Sequence, residues 1–78
     1  MIDFMVIEKT DIGEWKGHGS HKFKLAPRTG EYIEFSDQEG IGQVYEVIAV
    51  IHPLEEAQTA GDLIIKHINS TTAFRQSL

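Results

Sequence analysis

The histidines, serines and carboxylates are the residues of this 78-residue chain whose types could do chemistry. His18 and His21 stand in H-G-S-H, a spacing at which a turn can present two imidazoles to one metal ion. Zinc takes four ligands, three of them from protein even at a catalytic site. The chain has no cysteine, so the nearest further ligands are Asp11 and Glu14. That set is thin, which leaves His18 and His21 as weak metal candidates and gives no reason to expect a cofactor. Ser20, Ser36, Ser70 and Ser77 lack an elbow of the G-x-S-x-G kind that would present a nucleophile. Glu31, Glu34, Asp37 and Glu39 border turns, where carboxylates are ordinarily solvated. The glycines of G-E-W-K-G-H-G match neither a phosphate-binding loop nor a dinucleotide fingerprint. A chain this short has little room for a deep pocket, and no enzyme activity is expected.

Aromatic residues offer binding instead of reaction. Trp15 lies between Glu14 and Lys16, and Tyr32 opens a strand-like segment. Both types are enriched at interaction hot spots. The alternative for Trp15 is a lid folded over the end of a thin core, and the sequence leaves both readings open.

Several elements must position these residues. Ile2 to Ile7 reads as a strand, apolar at every position from Phe4 to Ile7. With Phe4 and Val6 turned inward, Met5 and Ile7 need a cover, which makes them candidate protein-binding residues. Asp11 to His21, with Gly13, Gly17 and Gly19, reads as a loop by composition, followed by a short strand at Phe23 to Leu25. In L-A-P-R-T-G-E-Y-I-E-F, Pro27 holds Ala26 extended and Gly30 supplies a turn. Strand-forming Tyr32, Ile33 and Phe35 follow. Ser36 to Gly42 is a second turn region, and Gln43 to His52 is a strand apolar enough on both faces to be central.

Pro53 to Gly61 reads as about one helical turn, with Glu55 and Glu56 near its start, and Asp62 to Ile68 as the last strand. A hairpin pairing His52 with Asp62 would place Val47, Ala49, Ile51, Leu63 and Ile65 on one core face. Residues 71–78 form a polar tail unless Phe74 docks, so residues 1–70 make one small domain. Its size limits burial to roughly 60 to 65% of the unfolded surface. Short strands separated by Gly and Pro turns predict a small all-β, partly open barrel of about five strands with one short helical turn.

Pro27, Gly30, Glu31, Ile33 and Phe35, then Tyr45, Val47, Val50 and His52 of Y-E-V-I-A-V-I-H-P, then Leu63 to Ile65, form a pattern. It resembles that of small SH3-like barrel proteins, short polypeptides of bacteria and their phages, over residues 23–68. The resemblance implies an SH3-like barrel and brings no catalytic motif. SH3-like barrels host peptide binding, nucleic-acid binding and assembly alike, so the resemblance leaves function open.

Two function classes remain. The first is a non-catalytic protein-interaction or assembly module, self-associating into a homodimer, with Trp15, Tyr32, Met5 and Ile7 as its candidate contacts. The second is a nucleic-acid-binding barrel working through Lys16, Lys22, Lys24 and Arg28. The net charge of −5 favours the first, because a nucleic-acid binder must attract phosphates. The start M-I-D-F-M-V-I-E-K-T lacks the basic segment and long apolar block of a secretion signal. No apolar run approaches the ~20 residues of a spanning helix, so a cytoplasmic setting is expected. Gel-shift assays at micromolar protein in ~0.15 M salt should show weak or no DNA or RNA binding. A shift that disappears in Lys22→Glu/Lys24→Glu would establish the second class.

Overall fold

The computed structural model describes residues 1–55 and 58–78 and contains five strands and one short helix. The strands are β1 (Ile2–Lys9), β2 (Trp15–Phe23), β3 (Tyr32–Ser36), β4 (Gly42–Ile51) and β5 (Asp62–Ser70), and the helix is α1 (Thr71–Gln76). They form one sheet in the order β2-β1-β5-β4-β3, curled into a half-barrel. The all-β, barrel-like architecture expected from the alternation is therefore what forms. Every ladder is antiparallel except β1 with β5, which runs parallel.

The core follows from the registers. Val6, Leu63 and Val50 form one row across β1, β5 and β4, and Ile65 and Val47 begin the next. Phe4, Val6, Val47, Leu63 and Ile65 are fully buried, with Ile2, Phe23, Ile33, Phe35, Tyr45 and Val50 packed around them. Phe4 meets Phe23 edge-on at 6.2 Å between centroids. As the sequence indicated, Phe4 and Val6 point inward while Met5 remains 37% exposed.

Four expectations need correction. The glycine-rich segment 11–21 is not mainly a loop: β2 runs from Trp15 to Phe23 and ends where a short strand was expected to begin. A five-residue turn joins it to β1, with Thr10 N–H donating to the Glu14 carbonyl at 2.8 Å and Gly13 at φ +82°. Gly19, at φ +77°, absorbs a bulge where β2 spends one residue more than β1 between the Met5 and Ile7 pairings. Pairing with β1 overrides the weak strand propensity of glycine.

The β4–β5 hairpin slips from the expected register. Ile51, not His52, pairs with Asp62, and beyond an unpaired Ile48 the partners become Val47 with Ile65 and Tyr45 with His67. The bulge at Ile48 breaks the strict alternation, so Val50 lines the core while Ala49 and Ile51 lie on the outward face.

The short helix also lies elsewhere. In 53–61 the described residues bend without helix, and Glu56 and Ala57 fall outside the described residues. Residues 71–76 of the supposed polar tail form α1 instead. Ser70 caps it by accepting from Ala73 N–H, Thr71 donates to the Glu34 carboxylate, and Phe74 docks on Tyr32 at 4.8 Å. This helix covers Val44, which is 5% exposed on the outward side of β4.

Gly61 is the backbone position on which the parallel ladder turns. Its φ is +149°, its carbonyl accepts from Met5 N–H at 3.0 Å, and a Cβ there would overlap the Ile51 carbonyl oxygen. Gly61→Ala should cost several kcal/mol in urea unfolding, on the order of 2–4, since both the dihedral and the contact resist it. Gly17→Ala, at ordinary φ and with nothing within 4 Å of the added carbon, should stay within about 1 kcal/mol. Equal effects would contradict this role for Gly61.

Candidate functional site

The two edge strands of the half-barrel, β2 and β3, approach each other along an open seam. They share no ladder, and their Cα atoms lie more than 8 Å apart over nearly all of their lengths. Inward-facing side chains meet beneath the gap. His18 from β2 stacks on Phe35 from β3 at 5.7 Å and 7° between planes, and His21 tilts over the same ring at 4.8 Å. Tyr45 meets His18 and Phe35 edge-on, and its other side faces His67 at 5.3 Å. Three of the four histidines thus gather with two aromatic rings at one inner end of the sheet.

Each imidazole has its own partner. His18 Nε2–H donates to Glu8 Oε1 at 2.9 Å, with side chains only 19% and 12% exposed. His21 Nε2–H donates to the His18 carbonyl at 2.8 Å, and His67 Nε2–H donates to Gln43 Oε1 at 2.8 Å. The acceptors fix these tautomers, because carboxylate, carbonyl and amide oxygens have no proton to give. H-G-S-H therefore does not converge its Nε2 atoms on one point, and Asp11 and Glu14 sit in the hairpin turn. Among the described residues, no group of three His, Asp or Glu side chains is arranged to hold a metal ion.

Asp37 organises the turn after β3. Its Oδ1 accepts from the Glu39 and Ile41 backbone N–H groups, both at 2.9 Å, and its Oδ2 accepts from Gln43 Nε2 at 3.1 Å. The Ile41 N–H, seconded by Gln43 and Glu39 and opposed by slight desolvation, holds this carboxyl below the ordinary value. Burial, then the Glu8 and Asp37 carboxylates, push the Tyr45 phenol above its ordinary range.

Two grooves open along the seam. One lies over His18, Phe35 and Tyr45, rimmed by Lys16 and the Asp37 turn. The other, of about 790 Å³, lies at the opposite end among Phe23, Leu25, Pro27, Arg28, Tyr32 and Ile33. Leu25 is 82% exposed at its lip.

The residues expected to bind are scattered. Trp15 is no core lid: it is 62% exposed, with Lys9 Nζ 5.9 Å from its ring centroid. Tyr32 is half-covered by Phe74, and Met5 and Ile7 lie on the outward face. Lys22 pairs with Asp3 at 3.2 Å and Arg28 approaches Glu31 at 3.9 Å, while Lys16 and Lys24 form no ion pair among the described residues. Sequence reasoning missed Glu8, Phe35, Tyr45, Gln43 and His67 as companions of His18. Reading T-D-I-G-E as a hairpin turn would have placed Glu8 beside β2; nothing local links His18 to Phe35.

Because the fold favours ionised Asp37, its stabilisation is complete above the ordinary value of 3.8 and is lost as pH falls through the lower folded value. In urea unfolding between about pH 3 and 7, Asp37→Asn should be less stable than the native chain near neutrality. The difference should shrink toward pH 3, and a constant difference would refute the assignment.

No protein-family model, curated protein or solved structure matches this chain.

Proposed function

We propose that this protein is a cytoplasmic, non-catalytic interaction module of the SH3-like kind, and that it pairs with a second copy through its outward face. The observation that carries this reading is a pair of cross-strand rows on the convex side of the sheet. Met5, Asp62 and Ile51 form one row, and Ile7, Ile64 and Ala49 form the other, across β1, β5 and β4. Met5 is 37% and Ile51 52% exposed. The Trp15 ring lies beside Lys9 and the Phe74 ring beside Tyr32, while Ile64 within the rows is 7% exposed.

A stable interface covers roughly 800 Å² per partner. The apolar rows must then extend onto a polar rim. Two ion pairs sit on the same face and flank them: Asp3 with Lys22 at 3.2 Å and Glu46 with Lys66 at 3.5 Å. A centre apolar but for Asp62, rimmed by charges of both signs, suits a two-fold contact in which the same patch meets itself. The imidazoles of the seam support a non-catalytic reading, because their Nε2 atoms are committed to Glu8, the His18 carbonyl and Gln43. Among the described residues, no helix is long and apolar enough to cross a membrane.

Sedimentation equilibrium at ~100 µM should give twice the chain mass of 8.8 kDa. Met5→Lys/Ile51→Lys should give the chain mass with an unchanged far-UV circular dichroism spectrum. A native chain that sediments as a monomer would overturn the pairing.

A further inference from the structure

We infer that the open seam between β2 and β3 is a docking site for an extended acidic peptide segment of another protein, which inserts as a sixth strand and closes the half-barrel. This seam shares Lys22 with the rim of the outward face but none of its apolar rows, and it does not depend on the pairing of two copies.

Four observations converge on it. First, among the described residues no strand pairs with the outer edge of either β2 or β3. Alternate backbone N–H and C=O groups on those edges therefore lack a ladder partner. Second, a strand inserted between two others needs its neighbours roughly 9 to 10 Å apart, twice the ladder spacing. β2 and β3 stand beyond ladder spacing over nearly all of their lengths, which leaves both edges open to one. Third, the two grooves lie at the two ends of this gap, one over Phe23, Leu25 and Ile33 and the other over His18, Phe35 and Tyr45. They would take the inward side chains of a strand, which alternate with outward ones.

Fourth, charge selects the partner. Between Glu14 and Glu31 the chain has Lys16, Lys22, Lys24 and Arg28 and no acidic residue, although its net charge is −5. Lys16 and Lys24 form no ion pair among the described residues. The acids across the gap are already engaged: Glu31 Oε1 accepts from Arg28 N–H at 2.6 Å, and Glu34 accepts from the Thr71 hydroxyl. The fitting partner alternates apolar residues, turned into the grooves, with acidic residues turned toward Lys24, which forms no ion pair among the described residues, and toward Lys22, whose 3.2 Å pairing with Asp3 they would exchange.

The probe is a synthetic peptide of about ten residues alternating Glu and Val, a typical strand length. Titrated in ~0.15 M salt and followed by fluorescence of Trp15, it should bind saturably at about 10–100 µM. Amide hydrogen exchange of the native complex should slow on β2 and β3. A peptide alternating Lys and Val, the acidic peptide with a central proline, and a single-stranded oligothymidine should each bind at least about tenfold more weakly. Lys22→Glu/Lys24→Glu should reverse the preference between the acidic and basic peptides. Met5→Lys/Ile51→Lys should bind the acidic peptide like the native chain, which separates this site from the outward face. Failure of the acidic peptide to bind at ~1 mM overturns the inference. So does exchange protection confined to other strands, tolerance of the proline, loss of binding in Met5→Lys/Ile51→Lys, or tighter binding of the oligonucleotide.

Discussion

The parallel ladder between Met5–Glu8 of β1 and Asp62–Ile65 of β5 is the contact on which the rest of the half-barrel depends. It joins two hairpins, β1–β2 and β4–β5, that would otherwise be separate antiparallel pieces of marginal stability. It also sets Val6 beside Leu63, and through β4 beside Val50, so the core row exists only once the chain's two ends meet. A parallel pairing needs a long return path, and here β2, β3 and β4 together supply it. Gly61 makes the approach geometrically possible, because any side chain there would press on the Ile51 carbonyl.

Bulges then decide which side chains the core receives. Ile48 on β4, Ile68 on β5 and the extra residue near Gly19 on β2 each shift a register by one. A shift of one exchanges faces, since side chains alternate with period two. Without the Ile48 bulge, Val47 and Val50 could not both serve the core, because residues three apart in a regular strand point opposite ways. Bulges also add twist and bend the strand, which suits a sheet curled enough for β2 and β3 to bring His18 and Phe35 into contact.

A sheet so curled yet unclosed has two surfaces unlike those of a sealed barrel. The convex side carries apolar rows between ion pairs. The seam carries unpaired backbone, aromatic and imidazole rings, and a local excess of cations in an otherwise acidic chain. The net charge of −5 conceals this asymmetry, because the acidic residues cluster on the far side of Gly30 and in the turns. Glu8, drawn under the seam, is held by His18 and adds to the field that keeps Tyr45 protonated.

The sequence by itself determined the strand content, four of the five strands, the inward facing of Phe4 and Val6, and the exposure of Met5. Each of these is written in local alternation and in turn residues such as Gly30 and Pro53. It misled where local propensity was overruled. Trp15–Phe23 has its pattern broken by two glycines, Gly17 and Gly19, and becomes a strand because β1 offers a ladder. Thr71–Gln76 looks like a polar tail and becomes a helix because Ser70 caps it and Phe74 finds Tyr32. Only tertiary structure decided the β4–β5 register, since a bulge depends on what packs against both faces. It alone brought His18, His21, Phe35, Tyr45 and His67 together. Those residues are up to 49 positions apart and carry no shared local pattern, and their meeting depends on the curl of the whole sheet.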